Sequence, residues 1–188
     1  MHPSRIIALS ALCFVLAVHA GYSQKSAGRI GVGINVGETV SIGLAPVPMY
    51  GASFIYVVTP SIYTGVQLGL LSGSASGDDK VFDRVTAFEV SPYAKILFTP
   101  AKELSPFFKL NIAFINYNAK LPATNSDPES ERNESYSSLW GTFGLSYALG
   151  KNVQVIGQVR FFDIGMSGKG KISQFGLGAP AVGIEVFF

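Results

Sequence analysis

The stretch VQVIGQVRFF, residues 153–162, alternates with a period of two. Val153, Val155, Gly157, Val159 and Phe161 fall on one face, and Gln154, Ile156, Gln158, Arg160 and Phe162 on the other. Successive side chains of an extended strand point to opposite sides, so this spacing predicts a strand with apolar surroundings on one side only.

The same signature recurs in eight runs of roughly nine to eleven residues, separated by turn chemistry. They span Arg29 to Gly37, Tyr50 to Val58, Ile62 to Ser72, Thr86 to Phe98, Pro106 to Tyr117, Ser137 to Leu149, Asn152 to Phe162 and Phe175 to Phe188. In the fourth, Phe88, Val90, Pro92, Ala94 and Ile96 alternate with Glu89, Ser91, Tyr93, Lys95 and Leu97. The fifth sets Phe108, Leu110, Ile112 and Phe114 against Lys109, Asn111 and Ala113. In the last, Val182, Ile184, Val186 and Phe188 oppose Ala181, Gly183, Glu185 and Phe187.

Period alone does not say which solvent the apolar face meets, since a soluble sandwich or lipocalin turns it inward. Two features favour lipid outside. The polar face is rich in small residues (Gly31, Gly33, Gly65, Gly69, Gly144, Gly183), which suit a crowded interior. Charged residues are only 14% of the chain, where a wet surface carries about 25–35%. Aromatics also gather towards strand ends, among them Tyr50, Phe98, Phe107, Phe108, Tyr117, Tyr147, Phe161, Phe162, Phe187 and Phe188, as at membrane interfaces. The connections alternate in length. Thr59 to Ser61, Thr99 to Ser105 and Gly150 to Lys151 are short; Glu38 to Met49, Gly73 to Val85, Asn118 to Tyr136 and Asp163 to Gln174 are long. Short turns on one side and long loops on the other is the pattern of a spanning barrel. The expected fold is an all-β, eight-stranded, antiparallel up-and-down transmembrane barrel, closed so that every backbone polar group is paired in lipid.

Met1 to Ala20 reads as a cleaved export signal. Arg5 precedes an apolar run from Ile6 to Val18, and Val18-His19-Ala20 makes a small-x-small cleavage pattern. The run is too short to span a bilayer as a helix. A barrel domain, residues 21–188, is expected to follow. The net charge of +2 falls to +1 without Arg5, which argues against a nucleic-acid partner. Cys13, His2 and His19 all lie inside the signal, so the mature domain has no thiol or imidazole. Disulfides, Cys or His metal sites and Ser-His or Cys-His catalysis are thereby excluded, and neither a cofactor nor an enzymatic activity is expected.

The terminal Val182-Gly183-Ile184-Glu185-Val186-Phe187-Phe188, and more weakly Pro92-Tyr93-Ala94-Lys95, resemble the small bacterial outer-membrane barrel proteins of the OmpA-, OmpX- and OmpW-like kind. The resemblance implies residence in the outer membrane, contact with lipid and lipopolysaccharide, and insertion as a monomer by the barrel-assembly machinery. Val182, Ile184, Val186 and Phe188 would carry the assembly signal. OmpX-like relatives imply a structural or surface-interaction role through extracellular loops with an extracellular ligand. OmpW-like relatives imply instead a narrow channel for small or hydrophobic solutes. A soluble lipocalin-like binder comes third. The lumen-facing candidates are Glu89, Lys95, Lys109, Asn111, Gln154, Gln158, Arg160 and Glu185. Eight strands enclose room for side chains and little else, so these charges are expected to pair rather than to line a pore. The carboxylates Asp127, Glu129, Glu131 and Glu134, beside Lys120 and Arg132, read as a solvated loop, because regular cation-ligand spacing is missing.

Overall fold

A computed structural model describes residues 27–42, 45–73, 84–121, 130–167, 173–175, 178 and 180–188. Met1 to Ala20, where an export signal is expected, and Asp127 and Glu129 lie outside the described residues. The strands are β1 (Ile30–Ile42), β2 (Ala45–Thr59), β3 (Ile62–Gly73), β4 (Arg84–Leu97), β5 (Leu104–Leu121), β6 (Ser130–Ala148), β7 (Val153–Ser167), β8 (Ser173–Phe175) and β9 (Pro180–Phe187). Neighbours in sequence pair antiparallel from β1 to β7, and β1 closes the sheet against β9, with Ile34 opposite Ile184. β9 pairs with β7 along Val153–Val159, and β8 pairs with β7 at Phe162–Ile164. β8 and β9 therefore share one stave end to end, and the closed barrel has eight staves. The last run expected from Phe175 is interrupted between them. Arg29 fastens the seam: its guanidinium donates to the Phe188 and Lys151 carbonyls at 3.1 and 3.2 Å and to Asn152 Oδ1 at 2.8 Å.

The apolar face is the outer one. Ile34, Leu70 and Phe114 are more than half exposed, while Glu89, Lys95 and Asn111 on the opposite face are buried. On β5 the outward apolar residues run from Leu104 to Phe114. Ten residues of strand rise about 33 Å, which at a tilt near 40° gives a band about 25 Å tall, the height of an outer-membrane hydrocarbon layer.

Three of the four long loops are shorter than the sequence suggests. Glu38–Ile42 pairs with Ala45–Met49, Asn118–Leu121 with Ser130–Asn133, and β7 continues to Ser167. Asn118–Leu121 and Ser130–Asn133 are mostly polar and Ala45–Met49 carries two prolines, so neither pair shows the apolar alternation that marks a strand in lipid, yet the backbone ladders continue. Between Gly73, the last residue of β3, and Arg84, the first of β4, the expected loop lies outside the described residues.

β7 also breaks its own alternation. The register slips between Gly141 and Thr142, which face Phe162 and Arg160, so Phe161 is an extra residue. Phe162 was expected in the lumen. The bulge turns it outward instead, against Gly141, where it meets Phe161 edge to face at 4.8 Å between ring centres. Phe161 in turn packs on Phe143 and Phe108 at 4.7 and 5.8 Å, forming a phenylalanine cluster on the wall of β5–β7. The aromatic ends divide as well. Phe107 and Phe187 point inward and are fully buried.

Candidate functional site in the barrel interior

The interior is filled in layers. At the short-turn end Ile55, Val57, Tyr63, Leu97, Phe107, Ile156 and Phe187 make one buried apolar cluster. Tyr63 and Phe187 meet edge to face at 5.7 Å. These residues come from β2, β3, β4, β5, β7 and β9, so the cluster reaches across the barrel mouth. Small inward residues make room for it: a Cβ on Gly31 would strike the Phe187 ring, and one on Gly144 the Phe107 ring.

The charged layer lies directly above. Lys95 Nζ on β4 donates to both carboxylate oxygens of Glu185 on β9 at 2.9 Å, across the lumen. Gln154 on β7 donates to the same carboxylate. The ammonium also sits 4.5 Å from the Phe107 ring centre and 5.6 Å from that of Tyr63. Lys95 is 1% exposed and Glu185 5%. Such a pair is stable only with its hydrogen bonds complete, which the bidentate geometry and Gln154 supply.

Lys109 occupies the next position on β5. Its Nζ donates to Gln67 Oε1 at 2.7 Å and lies 5.0 and 5.3 Å from the Tyr93 and Trp140 rings. Arg160 stacks 4.0 Å from the centre of the Trp140 ring and donates to Asp163 at 2.8 Å. In a regular strand residues three apart face opposite sides. The extra residue Phe161 brings Arg160 and Asp163 to the same side.

Ser91, Asn111, Ser138, Thr142 and Trp140 Nε1 are buried on the wall of β4–β6 with no hydrogen-bond partner among the described residues. Towards the long-loop end a second apolar cluster follows, built from Met49, Leu71, Val85, Ala87, Ala113, Ile115, Ala119 and Trp140. Tyr117 and Tyr136 pack against it, and Tyr117 donates to Glu134 at 2.9 Å.

All eight lumen-facing candidates have their side chains inside the barrel. The structure joins Lys95, Glu185 and Gln154 in one group and Lys109 with Gln67; Glu89, Asn111 and Gln158 are buried, and Arg160 is nearly so. Sequence reading missed Gln67, Asn35 and Asp163. The first two sit in phase with the inward glycines of their runs, a signal that was available. Asp163 could be found only by noticing that Phe161-Phe162 breaks the alternation. Val182, Ile184 and Phe188 are 50, 40 and 67% exposed on the outer face, with Val186 partly covered between them.

A family model described as outer membrane protein beta-barrel domain matches residues 6–179. Among solved structures the chain is similar to the N-terminal barrel domain of Pseudomonas aeruginosa OprF, at 17% identity and a TM-score of 0.58, covering 87% of this chain and 100% of that one. Neisserial surface protein A is similar at 16% identity and a TM-score of 0.58, covering 85% of this chain and 95% of that one. The outer membrane protein OprG of Pseudomonas aeruginosa is similar at 11% identity and a TM-score of 0.56, over 88% of this chain and 99% of that one. No curated protein sequence matches significantly.

Proposed function

This chain belongs to the outer membrane protein beta-barrel domain family and resides in a bacterial outer membrane, and we propose that it is a plugged, non-enzymatic barrel that presents an extracellular β-hairpin for surface interaction. The observation that carries the reading is the filled interior. Two apolar clusters flank a cross-lumen ion pair, which argues for a support rather than a passage. Above the band, β5 and β6 continue as a paired arm from Asn116 to Leu121 and from Ser130 to Ser135. Its outward row of Asn118, Lys120, Glu131 and Asn133 is polar and suited to an extracellular ligand.

The proposal extends to biogenesis. Met1–Ala20 directs export and is removed, leaving residues 21–188. Val182, Ile184, Val186 and Phe188 are the face offered to the barrel-assembly machinery, and the protein works as a monomer among lipid and lipopolysaccharide. The alternative, a narrow channel, draws its support from the unpaired polar wall of Ser91, Asn111, Ser138 and Thr142.

Shortening the arm separates the two. Tyr117 and Glu134 face each other in register, so residues 118–133 can be replaced by Asn-Gly, a two-residue hairpin turn. Cells displaying the shortened chain should keep a folded barrel, read by heat-modifiable gel mobility, and lose adherence to immobilised glycans and glycoproteins. Unchanged adherence at equal surface amount would refute the surface role.

A further inference from the structure

Above the band, residues 131–135 of β6 read Glu-Arg-Asn-Glu-Ser. Asn133-Glu134-Ser135 is the Asn-x-Ser triplet of N-glycosylation, with no proline in the middle. No other asparagine of the chain stands in such a triplet. A three-residue motif recurs by chance, so its placement decides. In a strand, residues two apart point the same way, and Glu131, Asn133 and Ser135 are all exposed. In register they face Lys120, Asn118 and Asn116 of β5. Glu134 points to the other side, where it accepts a hydrogen bond from the Tyr117 hydroxyl at 2.9 Å.

The height also fits. Ser137 faces Phe114, the uppermost outward apolar residue of β5. Asn133 stands four residues beyond Ser137, about 13 Å along the strand and about 10 Å along the membrane normal at barrel tilt. A sugar on its amide stands clear of the hydrocarbon and extends into water, where a bulky hydrated group is tolerated. The buried asparagines, Asn35 and Asn111, lie outside any triplet.

We propose that Asn133 is an N-glycosylation site, read together with Ser135 and Glu131 by a transferase on the periplasmic side of the inner membrane, which a chain bound for the outer membrane must pass. The co-substrate is an oligosaccharide joined through a diphosphate to a polyprenyl lipid. The bond from Asn133 Nδ2 to the sugar C1 forms as the bond from C1 to the diphosphate oxygen breaks. The lipid diphosphate leaves with the electron pair, and the proton lost from Nδ2 passes to solvent. The Ser135 hydroxyl hydrogen-bonds the transferase on one flank of the amide, and the Glu131 carboxylate meets a basic group on the other. These three side chains share one side of the chain whether it is still extended and unfolded or already paired in β6. The site rests on the arm standing outside the hydrocarbon, as the proposed function does, and not on adherence.

The test takes the full chain from the outer membrane of its own bacterium, with variants made in the same cells, digests it with trypsin and weighs the peptides by mass spectrometry. The peptide Asn133–Lys151 should carry the mass of one oligosaccharide. Asn133→Gln and Ser135→Ala should abolish that mass, and Ser135→Thr should keep it. Glu131→Gln should lower occupancy about tenfold, the loss of one charge-assisted contact. Heat-modifiable gel mobility checks that each variant folds. A peptide of unmodified mass, or a glycan that survives Asn133→Gln, would overturn the site, and occupancy indifferent to Glu131→Gln would overturn the reading role of that carboxylate. Adherence plays no part in the readout, so an unmodified Asn133 leaves the surface role standing.

Discussion

Lys95 and Glu185 are opposite charges within a wall surrounded by lipid, and each is tolerable only because of the other. Removing one partner leaves an uncompensated buried ion, which costs about 3–5 kcal/mol, whereas replacing both by apolar residues is often neutral. Glu185→Ala should therefore destabilise the barrel by about that amount, and Lys95→Met with Glu185→Leu should recover most of it, as read by urea unfolding in lipid vesicles. Equal losses in the single and double variants would mean that the pair does not secure the fold. The outer face makes a parallel statement about depth. Leu110 and Asn116 point outward from the same strand, near mid-band and above it respectively. Leu110→Arg should cost about 2–4 kcal/mol and Asn116→Arg at most about 1. Comparable costs would displace the membrane from the position assigned to it.

The β7 bulge decides which residues enter the lumen on one side of the barrel. Deleting Phe161 removes the extra residue and leaves Arg160 and Asp163 two positions apart, both still inward, so it should cost about as much as Phe161→Ala, the loss of the ring's packing on Phe143 and Phe108. Inserting an alanine between Phe162 and Asp163 instead turns Asp163 towards lipid near mid-membrane, so unfolding should become easier by at least about 2 kcal/mol. If the insertion costs no more than the deletion, the bulge does not set the facing. This element also marks where sequence reading reaches its limit. Alternation in residues 153–159, the fourth run and the fifth run assigns Gln154, Lys95, Lys109 and Asn111 to the face whose residues are buried in the structure, because lipid imposes a strict period of two on the other face. The same rule failed at Phe162, since two adjacent aromatics fit either phase and only the partner strand's register resolves them. It also missed the extensions of β1–β2 and β5–β6, because Ala45–Met49 carries two prolines and Asn118–Leu121 and Ser130–Asn133 are mostly polar, so neither shows an apolar period of two. Who pairs with whom across the lumen depends on the shear of the closed barrel, which no single strand encodes.

The whole molecule is a closed sheet whose outside is matched to lipid and whose inside is matched to itself. Closure removes sheet edges from the hydrocarbon layer, and the Arg29 contacts with Phe188, Lys151 and Asn152 hold the seam at the short-turn end. Within, the layers run from the Phe107–Phe187 cluster through the Lys95–Glu185 pair to the cluster around Trp140. A continuous water path would have to breach both apolar clusters. The most direct test of the account is single-channel recording in a planar bilayer, on refolded protein whose gel mobility is heat-modifiable. The account predicts an electrically silent bilayer containing folded barrel. Discrete, reproducible openings would contradict it and would make the polar wall of Ser91, Asn111, Ser138 and Thr142 the lining of a channel.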